Sequence, residues 1–289
     1  MKTFYSNLAF IFLIFSCSST EDEPPMIKPL TISAIEESHT PIVAGQVVKL
    51  KASTAENLVN PQFSWKATLK GSELSFLDIK DETSTLFLDK GQGEYQIEVQ
   101  LKDGERTGIL KKSLAVGVPD FEYGAWGNSI DIIKDSENEH GYTIYPNLIG
   151  MPEPYQGAVN ERLVYQRTST KLIAYYFIDS KLKGGSYFKS GPSRNSNGDF
   201  IWYQLYYRSD QNDINKKFEM EGTEILKWNV SEERQNQYLN QSNGQGLSMA
   251  VDNGHLSVET TWKKNGVIAK LSLYRITSGT AIAYTIYKE

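Results

Sequence analysis

Tyr95-Gln96-Ile97-Glu98-Val99-Gln100-Leu101 alternates apolar and polar residues without a break. In an extended chain Tyr95, Ile97, Val99 and Leu101 fall on one side and Gln96, Glu98 and Gln100 on the other. That period of two belongs to a strand with one face buried and one in water, the usual condition of an antiparallel sheet. Asp103-Gly104 then supplies a turn, and residues 109–118 a closing strand. Upstream, residues 47–52, 62–67 and 85–88 are short strand-like runs of the same kind. Strands at this spacing across residues 28–118 predict a β-sandwich.

Within that stretch, Phe63-Ser64-Trp65 followed by Gly93-Glu94-Tyr95-Gln96-Ile97-Glu98-Val99 resembles the core of a PKD or related immunoglobulin-like domain. The resemblance implies that the tryptophan packs between two sheets. It also implies a spacer or interaction module rather than a catalyst. Trp65 and Tyr95 are expected in the core.

Val118-Pro119-Asp120 marks a boundary, because proline interrupts a strand ladder. Residues 119–289 read as an α+β domain. Trp126-Gly127-Asn128-Ser129 leads into a short helix that Asn128 or Ser129 can cap, with Asp131 in its first turn. Residues 137–156, with three prolines, read as a loop. Residues 162–165, 171–178 and 181–188 read as strands, with Asp179-Ser180 closing a hairpin.

Phe200, Tyr203, Tyr207, Ile214 and Phe218 recur at helical spacing and predict a helix over 199–219, against the strand propensity of Ile201–Tyr207. Residues 246–251, 255–262, 267–274 and 281–287 predict a four-stranded antiparallel meander. It is punctuated by Asp252-Asn253-Gly254, Lys264-Asn265-Gly266 and Thr277-Ser278-Gly279. The order suggests two helix-plus-sheet repeats. One carries Trp126-Gly127-Asn128-Ser129, Leu163-Val164-Tyr165 and Tyr175-Tyr176-Phe177; the other carries Thr260-Thr261-Trp262 and Ile268-Ala269-Lys270-Leu271-Ser272-Leu273. These pieces are loosely similar to the β-lactamase-inhibitor-like and BamE-like lipoprotein folds, and the latter implies a component of outer-membrane assembly. The fold class expected is therefore mainly β with some α.

The N-terminus points to a location. Lys2 precedes an apolar run, Leu8 to Phe15. That run is too short to cross roughly 30 Å of hydrocarbon, which takes about 20 residues. It suits the core of a signal peptide over residues 1–16. Ile14-Phe15-Ser16-Cys17 resembles the lipobox of bacterial lipoproteins, which implies cleavage before Cys17 and lipid on its sulfur. Cys17 is the only cysteine, so the chain forms no internal disulfide, and acylation removes an exposed reactive thiol. Each buried acyl CH₂ contributes about 0.8 kcal/mol, so several chains anchor durably. Residues 17–27 continue with Ser18-Ser19-Thr20-Glu21-Asp22-Glu23-Pro24-Pro25, a composition that buries nothing and reads as a tether. Glu21-Asp22-Glu23 resembles the acidic surface-export signal of Bacteroidota lipoproteins. It implies an outer-membrane protein, anchored by lipid and exposed at the cell surface.

Composition narrows the chemistry. A net charge of −5 argues against a nucleic-acid partner, which needs a basic stripe. His39, His140 and His255 lie in unrelated segments, so no nucleophile–base pairing, metal spacing or cofactor motif emerges, and no catalytic residue, metal ligand or cofactor is assigned. Asp210-Gln211-Asn212-Asp213 offers oxygens but lacks the glycine and terminal glutamate of a calcium loop. The chain is rich in aromatics, with 17 Tyr, 12 Phe and 5 Trp, and that richness leaves surface recognition as the reading. Tyr175, Tyr176, Trp202, Tyr206, Tyr207 and Trp262 are the candidates for an exposed binding face toward a protein or glycan. The expectation is a non-enzymatic binding module, with the sandwich as spacer. The alternative is a glycan hydrolase or lyase in the second domain. A flat aromatic patch would favour the first; a concave cleft holding two carboxylates would sink a binding-only role.

Overall fold

The computed structural model describes residues 27–145, 161–192, 200–241, 245–277 and 279–289. The signal segment, Cys17 and the acidic tether lie outside the described residues, as do residues 146–156 of the expected loop. The chain is mainly β with some α, and its sheets are antiparallel.

The first eight strands are β1 (Ala34–Glu37), β2 (Val47–Ser53), β3 (Gln62–Leu69), β4 (Ser72–Leu74), β5 (Phe76–Lys80), β6 (Thr83–Phe87), β7 (Gly93–Asp103) and β8 (Arg106–Val116). They form two four-stranded sheets, ordered β1-β2-β6-β5 and β4-β3-β7-β8. The two antiparallel sheets face one another and enclose a single apolar interior. The alternation in β7 does what its period requires: Tyr95, Ile97, Val99 and Leu101 are buried. They meet Val48, Leu50, Leu86 and Leu88 of the facing sheet, with Trp65 at the margin against Phe76. Strands β1, β4 and β5 are short or weakly patterned and escape a reading of periodicity.

The second core is built on one seven-stranded antiparallel sheet. Its strands are β9 (Glu161–Thr168), β10 (Lys171–Ile178), β11 (Lys181–Gly191), β12 (Thr223–Trp228), β13 (Leu256–Lys264), β14 (Val267–Ile276) and β15 (Gly279–Lys288), in the order β12-β13-β14-β15-β11-β10-β9. Two meanders thus meet through β11 and β15. Their helices lie on one face: α1 (Ile130–Glu139) against β9 and β10, and on the other half a π-helical turn (Trp202–Tyr207) running into α2 (Arg208–Phe218), with α3 (Glu232–Leu239) and α4 (Gln245–Asp252). Asn265 and Gly266, both at positive φ, close β13 onto β14 as the Asn-Gly pair requires.

Two expectations are corrected here. Residues 246–251 are helical, not a strand. Leu247, Ala250 and Val251 recur at helical spacing, and Leu, Met, Ala and Gln are good helix formers. The fourth strand of that half is β12, which precedes α3 and α4. The helix over 199–219 is present in substance, but its aromatic start is wound as a π turn, which stacks the Tyr203 and Tyr207 rings 5.7 Å apart.

The two cores are joined by buried polar bonds. The Gln46 amide donates to the Tyr123 carbonyl (2.8 Å) and to Asn128 Oδ1 (2.6 Å), and its oxygen accepts from the Val43 amide. Asn128 donates to the Pro41 carbonyl. This spends Asn128 on the junction and leaves the N-cap position of α1 to Ser129, whose side chain makes no cap bond. The His140 ring stacks on Tyr123 at 3.7 Å and hydrogen-bonds the Gly45 carbonyl.

Candidate functional site

The six aromatic residues expected to form a binding face are largely interior. Tyr175, Tyr207 and Trp262 are fully buried, and Tyr176 and Trp202 are nearly so. Their polar atoms are satisfied internally: Tyr175 donates to Glu137 Oε1 (2.5 Å), Tyr207 pairs with Thr260 (2.7 Å), and the indoles of Trp262 and Trp202 donate to Asn215 Oδ1 and the Pro192 carbonyl. Strand alternation does send Tyr175 and Tyr176 to opposite faces, but β10 is an interior strand buried on both. Only Tyr206 stays partly exposed, under the Lys189 ammonium at 3.8 Å from its ring centre. An exposed aromatic face made of these six is therefore not formed.

The concave feature lies elsewhere, between the α1 half and the α2 half of the sheet. Register places Ile173, Tyr187 and Tyr284 directly opposite one another on β10, β11 and β15. They floor a groove of about 660 Å³, within the usual range for ligand sites. The Tyr187 and Tyr284 rings stack at 5.9 Å.

One wall is the segment leading into α1. Phe121 anchors it by lying on Gly185, where a Cβ would come within 2.2 Å of its ring, and by packing edge-on against Tyr175. The next residue, Glu122, holds φ at 48°, a left-handed conformation uncommon for a residue with a side chain. Its carboxylate lies 3.5 Å from Arg167. Arg167 also grips the fully buried Glu137 with both arms (2.6 and 2.7 Å), and its guanidinium lies 3.7 Å from the Tyr142 ring centre and 5.6 Å from that of Tyr123. Burial opposes the Arg167 charge, but hydrogen bonds and charge from Glu137, with Tyr175 and Glu122, outweigh it and raise its pKa. Burial, then the Glu122 carboxylate, pushes the Tyr187 hydroxyl far above the usual tyrosine range.

The other wall is α2, presenting Asp210, Asp213 and Ile214. Burial raises the Asp210 carboxyl, partly offset by Lys189 and Lys171. Burial likewise lowers Lys189, with Asp210 working against it. Tyr284 contributes a buried hydroxyl with no hydrogen-bond partner. Desolvating such a group without a partner costs about 1–3 kcal/mol, a cost held beneath the groove floor, and what Tyr284 offers the groove is its ring.

Chemically the groove offers aromatic faces, hydroxyls and charges of both signs. No histidine among the described residues lines it. Among the described residues no cluster of His, Cys, Asp or Glu is arranged to hold a metal ion. Asp210 and Asp213 drew notice in the sequence only as an imperfect calcium stretch; on α2 they are groove-facing acids. Glu122, Arg167, Tyr187, Lys189 and Tyr284 went unselected. The one local signal was Gly184-Gly185 beside Tyr187, a glycine pair inside a strand, which marks close approach from above. No protein-family model matches the chain, and no curated protein matches it in sequence.

Proposed function

We propose that the protein is a lipid-anchored outer-membrane protein, held through Cys17 and exposed at the cell surface. Its PKD-type sandwich carries a C-terminal domain that binds a glycan in the groove between α1 and α2. The observation that carries this reading is the stacked Tyr187–Tyr284 floor between walls of mixed charge. Tyrosine rings stack on the apolar faces of sugars, while hydroxyls and charged groups engage sugar hydroxyls. The aromatic core at Trp65 and Tyr95 supports a PKD-type sandwich, and the strand order supports the broader immunoglobulin class.

A concave groove in place of a flat aromatic patch turns the reading away from a protein partner. It also brings forward a second reading, a glycan hydrolase or lyase. Carboxylates stand on both walls, Glu122 on one and Asp210 on the other, and the raised Asp210 is suited to holding a proton. That arrangement removes the ground for a strictly binding-only role.

One experiment addresses both readings: the mature protein is applied to a glycan array, and the bound glycans are then incubated with it and sized. Binding lost in Tyr284→Ala and Tyr187→Ala supports the glycan site. Cleavage lost in Asp210→Asn and Glu122→Gln identifies the enzyme. No glycan bound, with a protein captured from outer-membrane extract, sinks the proposal.

A further inference from the structure

Two smaller cavities continue the groove. One of about 320 Å³ shares Glu122, Tyr187 and Tyr284 with it and adds Pro119, Asp120 and Lys217. The next, about 340 Å³, shares Pro119, Asp120 and Lys217 and ends against Trp126, Lys264 and Val267. Common linings make the three one trough. It starts at Arg167 on β9 and Ile173 on β10, crosses Tyr187 on β11 and Tyr284 on β15, and reaches Val267 on β14. Those strands are consecutive neighbours in the sheet, so the trough crosses them, and it does so obliquely: Tyr284 pairs with Leu271, whereas Val267 pairs with Lys288 further along β15. Four steps between neighbouring strands at about 4.8 Å give a length of at least about 19 Å.

We infer that this trough holds a linear glycan segment of several sugars laid across the strands, an inference that rests on the glycan reading above. A single sugar would fill only the Tyr187–Tyr284 centre. The three linings together place acids and cations along the length: Asp120, Glu122 and Arg167 on one rim, Asp210, Asp213 and Lys217 on the other. Sugar hydroxyls both donate and accept, so mixed signs suit a repeating polyhydroxylated chain. An extended peptide is a poorer occupant. Such peptides commonly gain affinity by main-chain pairing with a sheet edge, whereas the trough lies on a sheet face whose floor strands β10, β11 and β15 are paired on both sides.

The test uses the full chain and ladders of linear oligosaccharides from one to eight units, neutral β-glucan and α-mannan and acidic polygalacturonate, with affinity read by calorimetry. Affinity is expected to climb at least about tenfold between monomer and pentamer of the ladder that binds, then level off. Lys264→Ala, a half-exposed position at the far end, is expected to weaken the pentamer about tenfold, the worth of one charge-assisted hydrogen bond, and to leave the dimer unchanged. A monosaccharide bound as tightly as the octamer, or equal losses at every length in Lys264→Ala, would overturn the chain reading and leave a terminal-sugar site standing. Failure of every ladder at every length would overturn this inference and the glycan site together, and binding of an extended peptide library in their place would identify the occupant as peptide.

Discussion

The two cores are built from different materials. The sandwich interior is mostly aliphatic, Val48, Leu50, Leu86, Leu88, Ile97, Val99 and Leu101, with Trp65 and Tyr95 its large aromatics. The interior of the seven-stranded domain is threaded with hydroxyls and charge: Tyr165, Tyr175, Tyr207, Trp262, Glu137, Gln211 and Thr260 are all buried. An aliphatic core needs only shape and area. A polar core needs every partner in place, and it stores free energy wherever one is missing. Orphaned tyrosine hydroxyls occur at Tyr165, Tyr274 and Tyr284, all in the second domain. Apolar packing carries the first interior, and polar groups that need partners are built into the second.

The largest blow to this contrast is aimed at Glu137. Removing it in Glu137→Ala leaves Arg167 without its bidentate partner and should destabilise the second domain by about 3–5 kcal/mol. Urea unfolding should show the second domain's transition shifted and the sandwich's unmoved; two transitions shifting together would mean that the junction fuses the domains into one cooperative unit. Leu86→Ala does the converse, a cavity in the aliphatic core costing about 2–5 kcal/mol and confined to the sandwich.

Tyr207 and Tyr284 form a matched pair, one hydroxyl bonded and one not. Tyr207→Phe removes a hydroxyl bonded to Thr260 and should cost about 1 kcal/mol or somewhat more. Tyr284→Phe removes a hydroxyl with no partner, so stability should hold or rise slightly. Equal stability losses in the two would show that Tyr284 is bonded after all.

The smallest effect is in acid. The Asp103 carboxyl accepts from the amides of Asn60 and Val59 and from Arg106, and these hold its pKa below the ordinary value despite opposing desolvation. A carboxylate depressed in the folded state contributes stability above its unfolded value, about 3.9, and loses it as pH falls through the lower folded value. Protection of the Val59 and Asn60 amides, taken relative to their intrinsic exchange rates at each pH, should therefore fall only below about pH 4. Loss of protection near neutrality would assign the loop's order to something else.

The same contrast governs what was legible in the sequence. β7 could be read residue by residue because one face met water and the other the core. Asn265-Gly266 was equally plain, since few pairs adopt that turn. Residues 246–251 misled because six residues of mixed character fit a strand or a helix, and only their packing on the sheet selects the helix. The site was the least legible part. Glu122, Arg167, Asp210 and Tyr284 come from a linker, three separate elements and two halves of a sheet, and nothing local marks their convergence. The conspicuous aromatics were conspicuous for their bulk, and bulk goes inward.

The seam between β11 and β15 also carries a schedule. Ser186 and Thr285, bonded across it, are 99 residues apart. A ribosome finishes β11 long before β15 exists, and closing so distant a contact is a late event in folding. Until then β11 is an open edge, and its Lys181, Lys183 and Lys189 are the kind of charges that keep a waiting edge from recruiting a stranger. The groove floor comes into being only when β15 docks, so a polypeptide able to hold its ligand is one whose translation has run past Tyr284.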